Sequence, residues 1–366
     1  MKKTLVALAA LAATASFAQS SVTISGAVST ALNSQASTTG TGAAAVSSNS
    51  LFFFQNGTGT TNVTFSGVED LGGGMKGLFL YELDPQANLQ NAAPLSGEVF
   101  VGVSGGWGTL KLGAPNMPSL GTQASRSPLG TKSGGGFGGV LGSGKVRMNS
   151  SLRYDTPNFS GFSASLGWAP EVPSITAGGT APVLAPGGAV AAGSVAQTTG
   201  NVQAAGASQI DIALDYANGP LAAGVSFYSQ DAVGASAAFL AAVGGQRQTN
   251  YFLSYAFGDA KVFVGGHNQD NLAVAPGVNT NQSGYNIGGR YDMGNIAFMA
   301  NYAIQRVPAN AAGASQDQRV WGLGADYKFS KRTAAYARIN TQNNDNAAAG
   351  AVSEIRNAMV GLIHRF

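Results

Sequence analysis

The chain has 366 residues, with 20 Lys and Arg against 17 Asp and Glu, a formal net charge of +3 and Cys 0. Charged residues are 10% of it, well under the roughly 25% of soluble globular chains. The absence of cysteine excludes disulfides and thiolate metal sites. Dispersed, nearly balanced charge argues against a nucleic-acid partner, and no run of 18 apolar residues follows the N-terminal segment, so a helical membrane protein is excluded.

The N-terminal element is Met1-Lys2-Lys3, an apolar run from Thr4 to Thr14, and Ser16-Phe17-Ala18 with small residues at the cleavage positions. This pattern predicts a secretory signal peptide over 1–18, cut between Ala18 and Gln19. The run is too short for a transmembrane anchor, which needs roughly 20 apolar residues. Residues 19–366 are then one domain, and loss of Lys2 and Lys3 leaves it balanced to a single charge. A secreted, weakly charged chain without apolar helices can still span a bilayer, by closing a β-barrel in which every backbone N–H and C=O finds a partner.

Period-two alternation then recurs along the chain. Val22, Ile24, Gly26 and Val28 alternate with Thr23, Ser25, Ala27 and Ser29, and Phe162, Ala164, Leu166 and Trp168 with small or polar neighbours. Ile210, Ile212, Leu214 and Tyr216 repeat the pattern, as do Ile296, Phe298, Ala300, Tyr302 and Ile304. Apolar parity is expected to face outward and polar parity inward. Tight Gly/Asn/Asp turns alternate with longer loops, expected over 34–60, 85–97, 114–147, 170–207, 231–247, 269–282, 306–317 and 342–354. Seven turns and eight loops join sixteen strands. The last strand, Ala358 to Phe366, places Val360, Leu362, His364 and Phe366 on one face. An aromatic terminus at the foot of an outward face belongs in the interfacial girdle of a membrane barrel, which makes Val360, Leu362 and Phe366 the expected membrane-insertion residues.

The segments Val63–Lys76, Phe100–Thr109 and Tyr154–Phe162, together with the two ends, resemble the general porins of β-proteobacteria. The resemblance covers nearly the whole mature chain. It implies an all-β, closed, 16-stranded antiparallel barrel in the outer membrane of a Gram-negative bacterium, assembled as a homotrimer among outer-membrane lipid and lipopolysaccharide. It also implies a third external loop folded into the pore, and passive diffusion of small hydrophilic solutes and inorganic ions, with no cofactor.

In the third loop, Ala114 to Asn149 carries no Asp or Glu but holds Arg126, Lys132, Lys145 and Arg147. Fixed positive charge in a narrow constriction concentrates anions and repels cations. Arg126 and Lys132 are expected to project into the lumen opposite the wall residues Lys111 and Arg153. For Lys145 and Arg147 the constriction and the outer rim both stay open. Parity turns Lys111, Arg153, Arg290 and Arg338 inward, and likewise Asp155, Asp211, Asp215 and Asp292, several of them beside turns that they are expected to cap. Anion-preferring members of the family carry an Arg ladder on the early strands, where this chain has Asn62, Thr64, Glu98 and Ala114. The expectation is therefore a weak anion preference at most.

Two other functions compete. A substrate-specific channel, for a sugar or an organic anion, would need a line of inward aromatics; parity turns Phe65, Phe79, Tyr81, Trp168 and Trp321 outward and only a few, such as Tyr228 and Tyr336, inward. A barrel enzyme would need a positioned His, and His267 with Asp270 nearby lacks a nucleophile motif. No catalytic residue and no metal site is assigned.

Overall fold

The computed structural model describes residues 21–41, 45–87, 95–132, 146–170, 208–231, 245–272, 281–307, 316–346 and 351–366. The signal segment and Lys145 lie outside these residues. Seventeen strands run in chain order: β1 (Ser21–Thr41), β2 (Val46–Gln55), β3 (Asn62–Gly72), β4 (Met75–Asp84), β5 (Leu95–Gly105) and β6 (Gly108–Ala114). After a short helix, α1 (Pro118–Ala124), come β7 (Ser151–Asp155), β8 (Phe162–Ala169), β9 (Gln209–Asn218), β10 (Leu221–Gln230) and β11 (Gly245–Phe257). The last are β12 (Ala260–Leu272), β13 (Gln282–Met293), β14 (Ile296–Val307), β15 (Gln316–Lys328), β16 (Thr333–Asn346) and β17 (Ala351–Arg365).

From β3 to β17 each strand pairs antiparallel with the next, and β1 closes the sheet on β17 from Ala27↔Arg365 to Thr41↔Ala351. β2 and β3 do not pair with each other. Both pair with β1, β2 along its second half and β3 along its first, so the two share one wall position and the barrel has 16 strands. Gly26 and Phe366 exchange both backbone hydrogen bonds at the seam, at 3.2 and 3.1 Å. The outer layer of lipid offers no partner for an open edge, so closure is what allows these strands to exist there.

The alternation sets the faces as expected. Val360 is 67% exposed and Leu362 and Phe366 are also exposed, while Met359 and Ile363, on the alternate parity, are buried. Phe79, Tyr81, Trp168, Phe227, Tyr255, Trp321 and Tyr327 all point outward, whereas Tyr228 and Tyr336 are buried on the inner parity. The two-residue hairpins at Gly258-Asp259 and Gly294-Asn295 start with glycines at φ of 59° and 58°, the left-handed conformation that tight hairpins demand.

The first connection departs from expectation. The loop expected over 34–60 is a tall hairpin, with β1 running to Thr41 and β2 beginning at Val46. Long Ser/Thr/Gln/Ala stretches carry no apolar alternation, so the sequence read as loop what cross-strand pairing holds as sheet. The glycine-bearing stretch 57–60, expected to be part of that loop, lies instead in a break in the wall between β2 and β3.

Ile287, 60% exposed on β13, lies between the outward-facing Tyr285 and Tyr302. Ile287→Arg is expected to cost about 2–4 kcal/mol in lipid vesicles, the cost of a charge near the bilayer midplane. The shift of the urea-unfolding midpoint checks this; an unchanged midpoint would place the side chain in water.

Candidate pore constriction

Beyond β6, residues 116–129 lie against the inner face of the barrel wall, and Val146 and Arg147 stand beside Asn116 and Met117 ahead of β7. Asn116 forms a bridge with Arg147, and Met117 N–H donates to the Val146 carbonyl at 2.9 Å, pinching the base of the segment between β6 and β7. Glu98 on β5 holds that base from the wall: Asn116 donates its backbone and side-chain N–H groups to the two carboxylate oxygens, each at 3.0 Å. Arg147 Nη1 donates to Asn116 Oδ1 at 3.1 Å.

Helix α1 follows, with Pro118 at its start and Met117 at the N-cap position, where Met has no oxygen to offer. The barrel supplies the cap. Asp211 on β9, fully buried, accepts the Ser119 N–H at 3.2 Å and the Ser119 hydroxyl at 2.6 Å. A carboxylate at a helix start satisfies orphan N–H groups and meets the positive end of the helix dipole.

Glycines of the inner parity form the seat. A Cβ on Gly167 (β8) would stand 2.6 Å from Met117 Sδ, and one on Gly265 (β12) 2.7 Å from Arg126 Cγ. One on Gly288 (β13) would meet Pro128 Cδ at 2.6 Å, and one on Gly324 (β15) would meet Leu129 at 2.9 Å. Real Cβ atoms do not come so close, so the missing side chains are what let residues 117–129 lie flat against the wall.

Arg126 shows the consequence. Expected to project into the lumen opposite Lys111 and Arg153, it is 0% exposed, pressed over Gly265. Its Nε donates to Asn286 Oδ1 at 3.1 Å, and Asn286 Nδ2 returns a bond to the Arg126 carbonyl. Burial pulls its guanidinium down to about 10, still protonated at neutral pH, with the charge held against the wall. Arg126 is a docking residue of the loop. Inward parity on the strands was legible, but a loop side chain has no parity, and its glycine seat lies 139 positions further along.

The other expected constriction residues divide into groups. Lys111 and Arg153, directly paired across β6 and β7, turn onto the same carboxylate: Asp155 takes Lys111 at 3.1 Å and Arg153 at 2.7 Å. Lys132 lies within electrostatic reach of Asp84, Glu82 and Arg147, and burial lowers its ammonium, with Asp84 opposing. Glu82 itself is held by Asn62 Nδ2 at 2.9 Å and Thr64 Oγ1 at 3.3 Å, two residues that stand in place of the expected Arg ladder. Arg290 is committed to Asp292 through two 2.7 Å bonds near the turn end of β13. Arg338 is buried, with Asp326 at 2.7 Å. His267 is fully buried on the inner face of β12, and Asp270, three residues on, falls on the opposite parity.

A closed antiparallel barrel with residues 117–129 seated on its inner wall is a membrane diffusion channel in architecture. Residues 4–347 match the family described as Gram-negative porin, and the chain belongs to that family. It is 29% identical over 364 residues to outer membrane porin protein 32 of Delftia acidovorans, covering 95% of this chain and 91% of that one. Among solved structures it superposes on an anion-selective porin from Comamonas acidovorans with a TM-score of 0.68 and 23% identity, covering 95% and 100% of the two chains. It also superposes on the trimer form of OmpT of Vibrio cholerae with a TM-score of 0.59 and 14% identity, covering 95% and 99%. The protein is an outer-membrane β-barrel through which solutes pass by passive diffusion.

The seat predicts a variant. The three atoms nearest to a Cβ on Gly167 all belong to the segment between β6 and β7 (Met117, Pro118 and Met148). Gly167→Val is therefore expected to leave the barrel folded, with its heat-modifiable gel band intact, while altering single-channel conductance. Unchanged conductance would show that the segment is not seated there.

Proposed function

We propose that this porin is a general pore for small hydrophilic solutes and inorganic ions with only a weak anion preference. The observation that carries this reading is charge compensation at the constriction. Lys111 and Arg153 share Asp155, and Lys132 and Arg147 stand among Glu82, Asp84 and Glu98. Compensated pairs present little net field to a passing ion, and fields of more distant charges are screened over about 8 Å at physiological salt. The anion-selective relative supports the sign of the residual preference; the carboxylates on β4 and β5 support its small size.

A reversal potential across a KCl gradient tests the proposal. The expected permeability ratio lies close to unity on the anion side, and strong selectivity of either sign would overturn it. Asp155→Asn removes the carboxylate that Lys111 and Arg153 share and is expected to move the reversal potential toward anions, more at low salt. No movement would mean that these two cations do not face the ion path.

The same reading includes removal of residues 1–18 on export and assembly as a homotrimer. The trimer form of a structurally similar porin supports the latter, as does the small residue Ala164 on the outward parity of β8. Native mass spectrometry of detergent-extracted, unheated protein is expected to give three copies; a single copy would count against it.

A further inference from the structure

The break between β2 and β3 has its own architecture. Opposite it, β1 advances from Ala27 to Thr30, with two residues between, while the other side inserts residues 56–61 between Gln55 and Asn62. The extra chain does not bulge toward lipid. Gly57 lies under Tyr336 and Met359, with a hypothetical Cβ 2.7 Å from the Tyr336 hydroxyl, and Gly59 lies over Ile363. Tyr336, Met359 and Ile363 are buried on inner parity, in one cluster with Ala27 and Ala31, and Phe54 packs against it. An apolar cluster on the inside of a water-filled barrel would be anomalous without a cover, and the insertion is the cover.

Its polar groups are closed with equal completeness. The Ser29 N–H and C=O, which lose their strand partner at the break, are taken by Thr61 Oγ1 at 3.0 Å each. Asn56 Oδ1 accepts the Thr61 N–H at 2.7 Å and Asn62 Oδ1 accepts the Ala27 N–H at 3.1 Å. Thr58 reaches across to Arg338 on β16, whose Nη2 donates to Thr58 Oγ1 at 2.8 Å and to Asp326 at 2.7 Å. Arg338 Nη1 donates to the carbonyls of Ala325 and Ala337 at 3.1 and 2.8 Å, and its guanidinium stands 5.4 Å from the Tyr336 ring. Gly324, the seat of Leu129, borders the same side chain: a Cβ there would meet Leu129 at 2.9 Å and Arg338 Nη1 at 3.1 Å.

We propose that residues 56–61 are a second pore-narrowing element, and that Arg338 is the positioning residue that fixes it beside the far end of the third-loop segment. The lumen cross-section is then set by two insertions from different parts of the chain meeting at one guanidinium. A planar fork with five donors can hold wall, insertion and carboxylate together, which a lysine cannot. The proposal rests on the chain being an open diffusion pore, and wild-type conductance establishes that independently.

The absence of native cysteine gives a clean test. Thr60, half-buried within the insertion, is replaced by Cys, and a charged, water-soluble methanethiosulfonate is added during single-channel recording. A stepwise loss of open-channel current in Thr60→Cys, absent in wild type, is expected. A labelled Thr60→Cys channel with unchanged current would overturn the proposal, since an element behind the lumen surface cannot obstruct flow. A second variant deletes residues 57–60, which would set Asn56 opposite Ser29 and Thr61 opposite Val28. It is expected to raise conductance and speed the uptake of larger sugars into liposomes. If it forms the heat-modifiable barrel with wild-type conductance and sugar dependence, the insertion only patches the sheet. Arg338→Lys separates positioning from charge: larger current fluctuations at unchanged reversal potential are expected, and quiet wild-type openings would remove Arg338 from the account.

Discussion

Backbone hydrogen bonding in a medium without water is the constraint on which the rest of this molecule depends. An unpaired N–H or C=O in lipid costs several kcal/mol, so a sheet there must close on itself. The seam between β1 and β17 does this, ending in the reciprocal pair of Gly26 and Phe366. Where the ladder fails, between Gln55 and Asn62, side chains substitute for it: Thr61 both accepts from and donates to Ser29, and Asn62 takes the Ala27 N–H. The wall can admit an insertion only because these oxygens stand where a strand would have stood.

Closure creates a lumen, and the lumen is furnished by subtraction. Gly167, Gly265, Gly288 and Gly324 remove side chains from inward positions on four strands, and the chain from Met117 to Leu129 occupies the space. Hydrogen bonds then fix the segment at Asp211–Ser119 and Asn286–Arg126. Burying Arg126 takes a positive charge away from the ion path, and the sharing of Asp155 mutes two more. The same packing that narrows the pore thus reduces its electrostatic bias. Shape, more than charge, is left to discriminate among solutes.

Much of this was legible in the sequence. Period-two patterning gave the inward turn of Lys111, Arg153, Arg290 and Arg338, the outward aromatics and the terminal strand, because a pleated strand leaves a side chain only two directions. Tight turns were legible from glycine next to Asn or Asp. What escaped was non-local. The upper β1–β2 hairpin, Ser34–Thr41 against Val46–Ser50, is almost wholly polar and has no alternation to read, and the inner packing of Gly57 and Gly59 depends on Tyr336, Met359 and Ile363 nearly 300 positions away. One signal did exist: Met359 and Ile363 sit on the inner parity of the last strand, where a water-filled pore calls for polar residues, and so mark a covered surface. Inward glycines would have been a second signal, but with 52 glycines in the chain they do not stand out.

The central claim is that the segment after β6 is clamped to the inner wall in the conducting state. The bond between Ser119 and Asp211 offers the direct measurement, since a chain free of cysteine admits a single engineered disulfide. In the variant carrying Ser119→Cys and Asp211→Cys, oxidation is predicted to be complete in the folded barrel and to leave single-channel conductance at the wild-type value, with reduction producing unsteady openings. Failure of the pair to oxidise, or a crosslinked channel whose conductance departs from wild type, would contradict the account.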